Sequence, residues 1–199
     1  MIRPVRTLRH QAGAEGQSLV EYALILPVFL LILLGIVEFG LAFSHHMTLE
    51  YATREGARTG AALANGSTAF DCSKVDDEVV AAVQRVLTQN GSQVDLSHVT
   101  GIRIYDADAN GDEQGLVDVW KQGNGPTVDG VPLKFVLASG NWDACSRRNA
   151  GFGQTDSIGV GLTYDYQLVT TLGSALGLAG ASSLQMSDRT VMALNPDTD

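Results

Sequence analysis

An apolar run of 22 residues, YALILPVFLLILLGIVEFGLAF at positions 22–43, constrains this chain more than any other feature. At about 1.5 Å per residue such a helix rises about 33 Å, enough to cross a hydrocarbon layer of about 30 Å. Its one charge is Glu38. The run is therefore expected to be a transmembrane helix. A secretory signal peptide has a shorter apolar core, about 7–15 residues, followed by a small-x-small cleavage site. Gly40-Leu41-Ala42 offers such a site, which leaves open a soluble domain released with Phe43 as its first residue. Pro27 lies only one turn into the span, where it bends a helix more than it breaks one. Gly35 and Gly40 offer close approach to a neighbouring helix.

Arg3, Arg6, Arg9 and His10 precede the span, against Glu15 and, at its mouth, Glu21, and a basic flank stays on the cytoplasmic side. Arg54 and Arg58 follow it, but Glu50 and Glu55 are interleaved with them. The amino terminus is expected inside and the remainder outside. Glu21 and Glu38 are about 25 Å apart along a helix, so they fall near opposite interfaces of the layer. For Glu38 two readings stand: a side chain reaching the outer headgroups, or a part in helix packing beside Gly35 and Gly40.

Composition narrows the function. With 13 Lys+Arg against 22 Asp+Glu the formal charge is -9, which repels phosphate backbones, so no nucleic-acid partner is expected. Hydrophobic residues at 45% and charged residues at 18% exclude a disordered tail. Histidine occurs only at His10, His45, His46 and His98, and there is no Gly-x-Ser-x-Gly, phosphate-cradling loop or zinc-binding helix motif. The chain is expected not to be an enzyme, and no small-molecule substrate is evident. His45 and His46 are adjacent and so face different sides of a helix, which suits interface residues better than a metal pair.

Beyond the span, an alanine-rich stretch without proline extends the helix to about Leu63, with a stop at Asn65-Gly66. Val75, Val79, Val83 and Val86 share one face of a second helix over 75–89, with Ser73 as its cap and Asn90-Gly91 at its end. Short β-rich runs follow at 99–105, 116–120, 132–137, 158–168 and 184–194, separated by turn signals, and they predict an antiparallel sheet of about four or five strands. Pro132 suits only a strand start or edge. The apolar, glycine-rich stretch 173–179 is too short to span a bilayer and reads as a connecting turn or short helix against the core, with a membrane-touching loop as the alternative. Cys72 and Cys145 are too few for a zinc module, and outside the cytoplasm they are expected to form a disulfide. Asp106, Asp108, Asn110 and Asp112 have the alternating oxygen pattern that opens a calcium loop, yet Val117 stands where the bidentate glutamate belongs. An acidic hairpin turn with positive φ at Asn110-Gly111 is the favoured reading; calcium is the one cofactor left open.

Immediately before the span stands Gly16-Gln17-Ser18-Leu19-Val20-Glu21-Tyr22, a glycine, four residues, then Glu-Tyr at the mouth of the apolar run. This resembles the type IV prepilin leader in the variant of the tight-adherence (Flp) pilus systems. PVFLLILLGIVEFG from Pro27 and ATREGARTGA from Ala52 are similar to the TadE-like pseudopilins of those systems. The resemblance covers residues 16–62, with a fainter likeness in the terminal VMALNP. That family often has an arginine and a glutamate near its end, whereas Ala193 to Pro196 offer neither.

The resemblance implies cleavage between Gly16 and Gln17 by a membrane prepilin peptidase on the cytoplasmic face, with the arginines leaving in the leader. Glycine before the scissile bond lets an extended backbone approach the protease closely. The freed amine of Gln17 is a new cation that Glu21, on its own or a neighbouring helix, neutralises in assembly, with Tyr22 beside it. The implied architecture is α+β: residues 1–16 a cytoplasmic leader, 17–64 a long pilin-like helix spanning the membrane over 22–43, then a second helix and an antiparallel sheet in an extracytoplasmic domain, 65–199. The implied role is a minor pilin or pseudopilin of the inner membrane, working with other pilins in pilus assembly, surface adhesion or secretion. A rival from another class is an unprocessed, membrane-tethered binding module or adhesin, stiffened by calcium.

Overall fold

A computed structural model describes residues 14–67, 70–149, 155–170 and 183–195. Arg3, Arg6, Arg9 and His10, the stretch 173–179 and Pro196 lie outside the described residues.

The first helix, α1, runs unbroken from Ala14–Leu63 and passes through Pro27. It stops where Ala64 and Gly66 take positive φ, +50° and +87°, and Gly66 N–H returns to the carbonyl of Leu63 at 2.8 Å. The second helix, α2, spans Val75–Thr88. Ser73 does not cap it: the Asp71 side chain accepts from Ser73 N–H and caps a single 3-10 turn, Cys72–Lys74, that feeds α2 directly. A carboxylate two residues earlier thus accepts the N–H of Ser73 itself, and α2 starts without a side-chain cap.

Five strands form one antiparallel sheet: β1 (Val99–Ala107), β2 (Glu113–Gln122), β5 (Phe135–Gly140), β6 (Ser157–Gln167) and β7 (Ser183–Ala193), in the order β5-β2-β1-β6-β7. The expected run at 132–137 divides. Pro132 ends a separate two-residue hairpin of β3 (Thr127–Val128) and β4 (Val131–Pro132), and the sheet strand begins at Phe135. Proline has no N–H for a ladder, so the sheet excludes it.

β6 alternates as its sequence predicts. Ile158, Val160, Leu162, Tyr164 and Tyr166 are buried and join Ile102 and Ile104 of β1 beneath the helices. Both helices thus pack on one face of the sheet, giving two layers. Gly56 and Gly60, four residues apart on α1, make the close approach: a side chain at 56 would meet Val83 of α2 at 2.6 Å, and one at 60 would strike Ile158. On the other face Tyr105 lies over Gly159, and Arg103 grips Glu113 at 2.6 Å.

A disulfide joins Cys72 to Cys145, with Cα atoms 5.0 Å apart at a sequence separation of 73. It ties the start of α2 to the loop after β5. Beside it Arg147, with no exposed side-chain surface, pairs with Asp76 at 2.7 Å and lies 4.1 Å above the Trp142 ring. Burial pushes Asp76 up to about 6, against the opposing pull of Arg147.

Candidate anchoring and assembly site

The amino-terminal half of α1 carries the residues that the sequence singles out. Among the described residues, the helix Gly16–Leu63 is the one long and apolar enough to cross a membrane. Leu19, Val20, Leu24, Ile25, Val28, Phe29 and Ile36 are all exposed, which in water is unfavourable and in lipid is what a span requires.

Gly16, Gln17, Glu21 and Tyr22 are exposed at the mouth of this run. Gln17 Nε2 donates to Glu21 Oε1 at 3.1 Å, so residue 17 and the carboxylate four positions on share one helix face. A terminal amine at residue 17 would thus arise one turn from a carboxylate on its own helix. Added side chains at Gly16, Gly35 and Gly40 would meet nothing within 4 Å, so these glycines leave open surface on α1. Gly35 and Gly40 are five positions apart, about 140° around the helix, and face different directions.

Glu38 has a partner that neither reading names. Only 5% exposed, it turns onto its own outer domain and accepts hydrogen bonds from the Tyr166 hydroxyl at 2.6 Å, Val169 N–H at 3.0 Å, Thr170 N–H at 2.7 Å and the Thr170 side chain. A carboxylate near hydrocarbon needs donors, and the end of β6 supplies them within the same chain. Burial, and then the adjoining carboxylate, push the Tyr166 hydroxyl upward, so it stays a protonated donor.

A ladder of contacts continues up α1 from this latch. His45 is buried, its Nδ1 2.9 Å from the Leu41 carbonyl and its Nε2 3.0 Å from that of Gln93, and its ring meets Tyr166 edge-on at 5.0 Å. Fully buried Thr53 donates to Asp188 of β7 and lies 3.1 Å from the Thr190 hydroxyl. At the top, Asn195 N–H donates to the Ala61 carbonyl at 2.8 Å and Leu194 is buried. Asn195, the last described residue, thus reaches α1 through its backbone.

Sequence reasoning missed Tyr166, Thr53 and Arg147 as fixing points, since their partners lie 128, 135 and 71 residues away. One missed feature did leave a signal: the spacing Gly56-x-x-x-Gly60, the mark of a helix face that another element touches.

The acidic loop is a hairpin turn. Asp108 Oδ1 accepts from Asn110 N–H and Asp112 N–H, both at 2.8 Å. Positive φ falls on Gly111 alone, at +82°, and not on Asn110, because the Asp108 side chain already holds Asn110 in an Asx turn. Asp112 pairs with Arg189 at 2.8 Å, while Asp106 is buried in β1. Among the described residues no three side chains of His, Cys, Asp or Glu converge as metal ligands.

Comparison with curated proteins and with solved structures gives no match. The family model for TadE-like proteins matches residues 16–58, and over that amino-terminal segment the chain is similar to that family.

Proposed function

We propose that this chain is a non-enzymatic minor pilin, or pseudopilin, of the tight-adherence machine. It is inserted with its amino end in the cytoplasm, cut between Gly16 and Gln17 by prepilin peptidase, and then assembled with other pilins through α1. The role needs no cofactor. Tight packing of α1 against neighbouring α1 helices supplies the energy, and the outer domain supplies the surface used in adhesion or secretion.

One observation carries this reading: Gly16, Gln17 and Glu21 stand exposed at the mouth of an uninterrupted helix in which, among the described residues, none from 16 to 37 is buried. Cleavage places a positive amine on residue 17, one turn from the Glu21 carboxylate, and pairing between subunits fixes the axial stagger of the helices as a buried polar residue fixes coiled-coil register.

The test is Glu21→Gln in cells that make the whole machine. The substitution should leave the chain in the inner membrane at its normal level while the fraction recovered with sheared pilus components falls at least about tenfold, the loss of roughly 1.4 kcal/mol per contact. Undiminished recovery would show that Glu21 plays no part in assembly.

A further inference from the structure

The point at which the outer domain grips α1 fixes how far that domain stands from the bilayer. No residue of α1 between Gly16 and Val37 is buried, and the grip starts at Glu38. Residues 17–37 rise about 31 Å as a helix, one hydrocarbon layer. With Glu21 at the inner boundary, Glu38 lies about 25 Å above it, at the outer edge of the layer. The end of β6 is hydrogen-bonded to Glu38 through Tyr166, Val169 and Thr170, so it shares that depth.

The chemistry of this end fits such a position. Residues 166–170, YQLVT, and 183–186, SLQM, contain no charge. Val169 is 69% exposed and Leu184 53%, and Leu184 pairs with Tyr166, so the two strands end at one level. On α1, Phe39 and Phe43 are exposed just above the latch and lie 6.4 Å apart. The N–H groups of Val169 and Thr170, costly to leave bare beside lipid, are both satisfied by Glu38. The opposite end of the sheet is charged, with Asp108, Asp112, Glu113 and Arg189 around the β1–β2 hairpin. It lies near the level of Gly60, about 33 Å higher along α1.

We propose that the β6–β7 end is a membrane-seated collar, in which Val169 and Leu184, with Phe39 and Phe43, enter the headgroup layer of the outer leaflet. Its occupant is a phospholipid surface. The collar sets the depth of α1 and prevents the outer domain from tilting away on its stalk. It rests on α1 crossing the bilayer and is independent of processing at Gly16.

The test uses the full chain reconstituted in phosphatidylcholine–phosphatidylglycerol vesicles that contain lipid nitroxides labelled near the headgroup, to read 169, 184 and 109, and deep in the acyl chain, to read 30. An environment-sensitive fluorophore is attached, in separate variants, at Val169→Cys, Leu184→Cys, Ala109→Cys in the distal hairpin, and Leu30→Cys within the span. Side chains of an interfacial segment sit about 5–10 Å into the headgroup–acyl boundary, so labels at 169 and 184 should be quenched roughly twofold or more beyond the label at 109. Quenching at 30 with none at 169 and 184 would overturn the collar alone. No quenching at 30 would overturn the membrane span, and the collar with it.

Discussion

Replacing Glu38 with alanine removes the acceptor for at least three donors at once, and the structure supports a figure for the loss. The Tyr166 hydroxyl is left in a buried site, whereas the Val169 and Thr170 N–H groups are partly buried and recover some water. A buried donor stripped of its partner costs about 1–3 kcal/mol, so counting the hydroxyl in full and the amides at a fraction gives about 3 kcal/mol for the latch. The effect should be local: the end of β6 loosens from α1 while the hydrophobic layer around Ile102, Ile158 and Val160 stays closed. Hydrogen exchange on the full chain in nanodiscs reads this directly. Protection of the Val169 and Thr170 amides should fall about 150-fold, with β1 amides unchanged. Glu38→Gln keeps one acceptor oxygen but turns an N–H toward a donor, so it should lose about half of that energy. Unchanged protection in Glu38→Ala would refute the reasoning, since it would mean that these bonds hold nothing in place.

Other expectations follow from particular contacts. Replacing both Cys72 and Cys145 with serine reopens a 73-residue loop and should cost up to about 4 kcal/mol in denaturant unfolding of the outer domain. Gly60→Leu drives a side chain into Ile158 and Val79 and should destabilise by about 1–3 kcal/mol, whereas Gly40→Ala, with open space around it, should stay within about 0.5 kcal/mol by thermal melting. Asp76 has a folded value of about 6 against an ordinary 3.8, so between these values the folded chain keeps a proton that the unfolded chain has lost. Its contribution is therefore greatest below about pH 4 and declines as pH rises through about 6. The stability of the natural chain relative to Asp76→Asn should decline across that window by on the order of 2 kcal/mol, and a flat difference would contradict the assignment.

How legible the fold was depended on how local each signal is. The end of α1 at Leu63 and all five sheet strands are marked by nearby residues: a glycine past the helix, alternation in IGVGLTYDYQ, turn residues between runs. Errors arose where two local signals competed, as when Asp71 took the cap position from Ser73, or when Pro132 was assigned to a strand that begins three residues later. The fate of Glu38 was not legible at all. Its charge inside an apolar run announces a need for donors, but nothing near it in sequence states that Tyr166, 128 residues on, will provide one. The same holds for Arg147, whose burial against Trp142 and Asp76 needs the disulfide-bound loop already in place. At the amino terminus the position is reversed: Gly16, Gln17, Glu21 and Tyr22 are conspicuous in sequence and, among the described residues, almost without tertiary contacts, as the proposed assembly with other pilins requires.

The central claim is that α1 begins its working life at residue 17. Intact-mass and amino-terminal measurement of the chain, taken from cells with and without active prepilin peptidase, tests it most directly. The account predicts Gln17 as the first residue when the enzyme is active and the full leader when it is not. A chain that keeps Met1 in both cells, or that begins at Phe43, would contradict it.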